Sequence, residues 1–571
     1  MSYQQWLGLA FCGFVIRSTI ALDPIVTLGK NQVTYRGTVR GAVEDFLNIK
    51  FAHDTSGPLR FAPPKPYSPP LSSEIDATVL GPACPQNRAS IPPFFPETPN
   101  QSEDCLNLRI TRPRGTTADS SEKLPVVVHL VGSGVVKGSA YDETFDPANL
   151  VARSAAFDKP IVHVVLNYRL TIFGFARLPI LKDQKSLNIG MRDQRAGFQW
   201  VKDNIAAFGG DPNRITSFGL SFGGTFTSLH LMVHGGEHGV PFTQAWVMSG
   251  PPGSALNMTS DATETHTYAV AKKLGCSHDD DVAILDCLRE APMDKLTETA
   301  MAYSVENHPP AGLFTFIPSV DTRKFVKDDG ATNAGPALLF EAEKDMKTPV
   351  YNFAHAFTED DYARLFSLYP ARGFEEDVHS YEARKAENNP EAPVHYFRIA
   401  RIMRDLLFTC SSIDFGFEMT KQSRSLDDFP GVYHYVLNQS MITPLFHAAG
   451  MPYLGAISES DANVSDTLIM SFLNFAYTGQ PHGEGLPLRP ESFPELDEPD
   501  VSHVELDSSQ YLTLRVIGGP LEVTMEIPSG YNVHYREMKS RISQERQRQV
   551  EGENLLERCA FINSLAEKLG H

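Results

Sequence analysis

The chain has no Lys/Arg-rich block, and its 50 Lys and Arg residues are outnumbered by 69 Asp and Glu, leaving a formal net charge of −19. Charge of that sign argues against nucleic acid as a partner. Beyond the N-terminal residues no stretch approaches eighteen apolar residues, so no spanning helix is expected. Cysteine is scarce, seven in 571 residues, and its spacings do not resemble a zinc site. No metal and no cofactor are expected. Compositional bias is absent too: 42% hydrophobic and 21% charged residues are ordinary for a globular protein, and the 41 Gly and 41 Pro are spread along the chain. That excludes disorder as the default.

What is present begins with a short apolar run, Trp6 to Ile16, followed by Arg17 and by Thr19-Ile20-Ala21, which has small residues where signal peptidase needs them. The pattern predicts a signal peptide over residues 1–21, cleavage after Ala21 and a secreted chain. Four Asn-X-Ser/Thr sequons, at Asn100, Asn257, Asn438 and Asn463, are compatible with secretion. Cys12 would leave with the signal. Among the other six, Cys84 with Cys105 and Cys276 with Cys287 are close enough in sequence to close short loops, while Cys410 and Cys559 stay open between buried thiols and a bond.

Residues 22–571 read as one large domain, a length that enlarged α/β folds reach around a single sheet. From about Leu124, short β-type runs alternate with helix-type segments, as in Pro125-Val126-Val127-Val128-His129-Leu130 and Ile161-Val162-His163-Val164-Val165-Leu166. Such continuous runs predict strands buried on both faces of a largely parallel sheet covered by helices. Asp193 to Asn204 has helical spacing, Phe208-Gly209-Gly210-Asp211-Pro212 reads as a stop and turn, and Arg214 to Phe218 as a short strand. The region from about 253 to 430 is helix-rich, and the tail from Tyr535 to His571 reads as an amphipathic surface helix.

Directly after the 214–218 strand stands Gly219-Leu220-Ser221-Phe222-Gly223-Gly224, then a helix-compatible run, Thr225 to Met232. A serine at a sharp strand-to-helix turn takes a strained backbone, and glycine two residues to either side lets strand and helix approach. The helix N-terminus favours the negative charge that develops when such a serine attacks a carbonyl. Ser221 is therefore the candidate nucleophile.

At this point the chain resembles the type-B carboxylesterase/lipase family, which also holds cholinesterases and many fungal secreted esterases. The resemblance rests on Phe46-Leu47-Asn48-Ile49, Arg60-Phe61-Ala62-Pro63-Pro64, Glu103-Asp104-Cys105-Leu106-Asn107-Leu108, Asn167-Tyr168-Arg169-Leu170, Phe173-Gly174-Phe175 and Asp193-Gln194-Arg195. It runs on through Asn204 to Pro212 and the Ser221 turn, and resumes at Asn474-Phe475-Ala476 and Thr478-Gly479-Gln480-Pro481. It implies a large α/β-hydrolase fold with the site at the bottom of a gorge, and disulfides Cys84–Cys105 and Cys276–Cys287.

The family's His-Gly-Gly-Gly loop corresponds to Val131-Gly132-Ser133-Gly134, which keeps two of three glycines. Main-chain N–H groups of Ser133, Gly134 and Phe222 are the candidate oxyanion donors. Phe222 replaces the small residue usual after the nucleophile, either narrowing the acyl side or filling the core, and Leu220 replaces an acid. His447, in Phe446-His447-Ala448-Ala449-Gly450-Met451-Pro452-Tyr453, is the candidate general base. His434, alternating within Val432-Tyr433-His434-Tyr435-Val436, reads as structural. The family's Asp-Glu-Gly acid motif does not appear between Pro318 and Tyr362. Counting from the apolar run Ala337-Leu338-Leu339-Phe340 puts Asp345 in the acid's place, with Glu343 and Glu341 as rivals.

These residues support a serine carboxylic-ester hydrolase acting through an acyl-enzyme on a small-molecule or lipid ester. Two alternatives stay open: an acyltransferase or cyclase acting on a specialised metabolite, and a non-catalytic binding protein on the same fold.

Overall fold

The computed structural model describes residues 23–29, 31–90, 96–132, 134–233, 239–254, 261–276, 280–308, 312–319, 343–351, 354, 356–383, 391–423, 432–437, 462–482, 511–517, 524–528 and 555–569. In chain order the first strands are β1 (Ile25–Leu28), β2 (Val33–Arg36), β3 (Thr38–Arg40), β4 (Val43–Lys50), β5 (Glu74–Asp76) and β6 (Asn107–Pro113). They are followed by β7 (Leu124–Leu130), β8 (Val162–Leu166), β9 (Gly210–Leu220), β10 (Gln244–Met248), β11 (His434–Leu437), β12 (Tyr511–Ile517) and β13 (Thr524–Pro528).

Among the described residues the central sheet has seven strands, in the order β10-β9-β7-β8-β6-β4-β3. Its half from β8 to β10 is parallel, and β6, β4 and β3 run antiparallel. The apolar runs of the sequence mark the parallel half well, because helices cover both faces there: all five residues of β8 are buried. The antiparallel half escapes an apolar-run criterion because it buries charge in pairs. Arg109 meets Asp45 at 2.9 Å and Arg112 meets Glu44 at 2.8 Å across neighbouring strands. β9 is longer than the Arg214 to Phe218 strand expected, since its edge pairing starts already at Gly210 beside Leu124.

Two apolar layers sandwich the sheet. On one face Val126, Val128, Val162 and Val164 meet helices Ile189–Asn204 and Phe222–Met232 through Phe198, Val201, Phe222 and Phe226. On the other, Val127, Val165 and Phe218 meet helices Ala148–Ala156 and Ala462–Thr478 through Val151, Leu468 and Phe472. Several residues that carry the resemblance tie this frame together. Arg169 is 2% exposed and holds Asp193, itself fully buried, through two guanidinium bonds of 2.8 and 2.7 Å and a main-chain bond of 3.0 Å. Arg60 pairs with buried Glu103 and donates to the carbonyls of Leu288 and Ala291, joining the first loop to the helices beyond.

The helix-rich stretch after the sheet includes Ala262–Lys273, Asp281–Glu290, Met293–Asn307, Val394–Arg404 and Cys410–Ser423. The disulfides Cys84–Cys105 and Cys276–Cys287 are both formed, and a third joins Cys410 to Cys559. That third bond ties the tail to the helix Cys410–Ser423. Residues 555–569 form two helices whose inner face, with Cys559, Ile562 and Leu569, lies in an apolar cluster with Leu406, Cys410 and Ile413. The described part of the tail is thus helical and amphipathic, docked by its apolar face. The expected signal over residues 1–21 lies outside the described residues.

The Cys410–Cys559 bond spans 149 residues. Loop closure on that scale limits the unfolded chain by at most about 5 kcal/mol at 25 °C, with about 2–5 kcal/mol usual on removing a native bond. Cys410→Ser with Cys559→Ser is expected to lower the unfolding free energy by that amount in urea titration. An unchanged midpoint would show the bond to be without weight in the fold.

Candidate active site

Strand β9 delivers the chain to Gly219-Leu220-Ser221-Phe222-Gly223, and the helix Phe222–Met232 starts at once. Ser221 stands between them with φ 58° and ψ −131°. A non-glycine residue held there costs about 1–3 kcal/mol and persists only where its neighbours over-determine it. Here they do so by backbone crowding. A Cβ on Gly219 would lie 2.2 Å from the Gly223 carbonyl carbon, on Gly223 2.0 Å from the Leu130 oxygen, on Gly132 1.7 Å from the Leu220 oxygen, and on Gly250 2.1 Å from the Ser221 oxygen. No side chain fits at any of the four.

Gly132 thereby brings the glycine loop after β7 onto the elbow, and Gly250 brings the segment after β10. The Ser221 N–H donates to the Met248 carbonyl at 2.8 Å, and its own carbonyl accepts from the Thr225 N–H at 3.0 Å. Because Thr225 closes the first helical turn, the N–H groups of Phe222, Gly223 and Gly224 lie outside the helix ladder. They form the positive end of the helix beside a half-buried serine.

The glycine loop is fixed from several sides. Gly134 has φ 57°, which glycine adopts freely, and its carbonyl accepts from the Phe314 N–H at 3.2 Å. The buried Tyr168 hydroxyl donates to the Val131 carbonyl. Further along, the Gln86 amide bonds Gly138 in both directions, at 3.0 and 2.8 Å, and Lys137 donates to the Asn87 carbonyl at 2.7 Å and to the Thr98 hydroxyl at 2.8 Å. Burial pushes the Lys137 amine down to about 8. Ser133 lies outside the described residues.

Phe222 is 1% exposed, its ring 5.1 Å from Phe226 and 5.6 Å from Phe314. Of the two roles open to it, the ring therefore fills the core. Leu220 points to the other face, among Phe218, Trp246 and Met248. Leucine suits these apolar neighbours, whereas an ionised acid among them would need a partner.

The described histidines near the sheet are built into the core. Edge-to-face rings of His129 and His163 lie 5.7 Å apart with Phe218 beside both. His230 meets the Gln194 side chain at 2.8 Å. Burial pushes His129 and His230 down to about 3 and His163 well below its ordinary value. His434 lies in β11, as its alternation suggested, and burial lowers it to about 4.

His447 and Glu341 lie outside the described residues. Asp345 falls in a short 3-10 turn, Glu343–Met346, and its side chain is likewise outside them. Glu343 in that turn pairs at 2.8 Å with Arg398, itself 2% exposed. The structure thus brings together Ser221, Phe222 and the Gly134 loop. Among the sequons, Asn100 is exposed, Asn463 opens the helix Ala462–Thr478 with its side chain outside the described residues, and Asn257 and Asn438 lie outside them altogether. Sequence reading missed Gly250. Its signal was Ser249-Gly250-Pro251-Pro252 directly after a strand, a turn signature with no catalytic motif attached.

The family model of the carboxylesterase family matches residues 26–516. A secreted lipase of Arthroderma benhamiae is 32% identical, with 95% of each chain covered. An inactive carboxylesterase-like protein of Byssochlamys spectabilis is 34% identical over 75% of this chain and 76% of its own. The crystal structure of Aspergillus niger EstA matches 96% of this chain and 99% of that one with a TM-score of 0.67 at 21% identity, a likeness of fold. The fold is the α/β-hydrolase fold.

Gly250→Ala is expected to cut any Ser221-dependent turnover by tenfold or more, since its methyl would displace the Ser221 carbonyl. Unchanged turnover would show that the turn relaxes without loss. The buried histidines give a second expectation, for stability. In the unfolded chain they take up protons below about pH 6.5, whereas the fold keeps His129 and His230 neutral to about 3. The unfolded state binds more protons in that window, so stability falls with falling pH, by up to about 1.4 kcal/mol per pH unit for each. Urea midpoints between pH 6.5 and 4 should fall less steeply in His129→Leu than in the parent. Parallel slopes would contradict the account.

Proposed function

The chain belongs to the carboxylesterase family and with it to the carboxylic ester hydrolases, and from that premise we propose that its reaction runs through an acyl-enzyme on Ser221. The observation that carries this reading is the strained Ser221 turn, wedged between four glycine contacts at the N-terminus of a buried helix. A serine needed only for packing has no reason to hold φ 58° and ψ −131° there.

In this reading the Ser221 hydroxyl attacks the ester carbonyl carbon as His447 takes its proton. The N–H groups of Phe222, Gly134 and Ser133 hold the oxyanion. Collapse expels the alcohol, which receives the proton from His447, and water then releases the acid by the same steps. Asp345 orients the imidazole and stabilises its charged form. The Arg398 pair already occupies Glu343, which favours Asp345 over that rival.

The substrate is a small-molecule ester, and the secreted lipase among the relatives supports extension to lipid esters. That relative also supports secretion; cleavage after Ala21 and a single domain over residues 22–571 belong to the same proposal. No described helix is long and apolar enough to cross a membrane. Exposed Asn100 is the sequon we propose as glycosylated.

The purified protein is expected to turn over p-nitrophenyl acetate and butyrate, and Ser221→Ala to lose at least about 10⁴-fold in kcat. Equal rates in both proteins would sink the nucleophile and return the chain to the binding-protein reading that its relative named inactive brings to mind. Asp345→Asn should lower kcat by orders of magnitude and Glu343→Gln by little. The reverse would move the acid to Glu343.

A further inference from the structure

The Ser221 turn needs an outside hold, and one of its two flanking segments is anchored far from the sheet. After β10 the chain runs through Ser249, at φ 50°, and Gly250, whose bare Cα lies under the Ser221 carbonyl. Gly250 also accepts from the Ser228 hydroxyl at 3.2 Å. Pro251 and Pro252 follow, and proline's fixed φ makes this a stiff connection. At its end the Gly253 N–H donates to the Ser411 hydroxyl at 3.1 Å, and the buried Ser254 hydroxyl donates to the Leu407 carbonyl.

Leu407 lies in a π-helical turn, Asp405–Thr409, wedged between the helices Val394–Arg404 and Cys410–Ser423. Such turns shift the backbone register and free carbonyls from the ordinary ladder. Here one carbonyl receives Ser254. The turn is held in place by two bonds to the C-terminal helix. Buried Asp405 pairs with Arg558 and accepts from the Tyr369 hydroxyl at 2.8 Å, and Cys410 is joined to Cys559.

Resting on the reading of Ser221 as nucleophile, we propose that Ser411 is a positioning residue, through which the start of the helix Cys410–Ser423, anchored by the Cys410–Cys559 disulfide, holds the Gly250 segment beneath the Ser221 elbow. The catalytic serine is thereby braced from the C-terminal helix, some 340 residues later in the chain and outside the sheet that carries it (Ser221 to Cys559). Ser411 touches no reacting atom. Its hydroxyl fixes where Gly253 lies, and the two prolines carry that position to Gly250.

The test compares the parent with Ser411→Ala and Ser411→Thr by hydrogen exchange over residues 219–225 and by kcat and KM on p-nitrophenyl butyrate. Exchange reads the Ser221 amide, bonded to Met248 and not to Ser411, so loss of the Gly253 bond itself does not produce the signal. Expected for Ser411→Ala are exchange over 219–225 at least tenfold faster, kcat lowered tenfold with KM within twofold, and an unchanged thermal midpoint. Threonine, which keeps the hydroxyl, should restore both. Exchange at the parent rate in Ser411→Ala overturns the inference, as does a fall in thermal midpoint that threonine does not rescue. Absence of Ser221-dependent turnover in the parent would overturn the proposed function, while the exchange comparison would still decide the brace.

Discussion

Backbone crowding at one turn is the constraint from which the rest of this structure follows. Ser221 can hold its strained conformation only because Gly219, Gly223, Gly132 and Gly250 let four pieces of main chain come closer than any side chain allows. Those pieces arrive at one point because β7, β9 and β10 are parallel neighbours whose C-terminal ends finish together. In such sheets the loops beyond the carboxyl ends of the strands are where a site can be built. The parallel half of the sheet therefore carries the chemistry, and the antiparallel half, with its buried arginine–carboxylate pairs, widens the platform.

The residues that reveal kinship are mostly not those of the site. Arg169 with Asp193 and Arg60 with Glu103 are buried pairs with several hydrogen bonds each. Removing one member of such a pair leaves a charge in the interior and costs about 3–5 kcal/mol. They lock loops against helices, so they read in a sequence as fixed motifs although no substrate meets them. Family membership and activity accordingly rest on different residues, and a relative can keep the first after losing the second.

What could be read from the sequence divides along the same physical line. Apolar runs such as Val126 to Leu130 announced strands covered on both faces, and the glycines around Ser221 announced its elbow. Local patterns with a single structural cause were legible. Less so was anything decided by contact between distant segments: the ring of Phe222 turned out to fill the core, Gly250 to sit under the serine, and Cys410 to find Cys559 across 149 residues. The burial of Arg558 in the tail helix, against Asp405 and the Tyr369 ring, belongs to the same class. The acid was hardest, because Asp345 follows no motif and a carboxylate's role depends on where its partner stands.

The account stands on Ser221 being a nucleophile activated by its surroundings. The direct measurement is reaction of the native protein with a fluorophosphonate, followed by peptide mass spectrometry, with urea-unfolded protein as the control. A single adduct on the peptide containing Ser221, absent after unfolding, is the predicted result. No adduct, or adducts scattered over other serines, would contradict it.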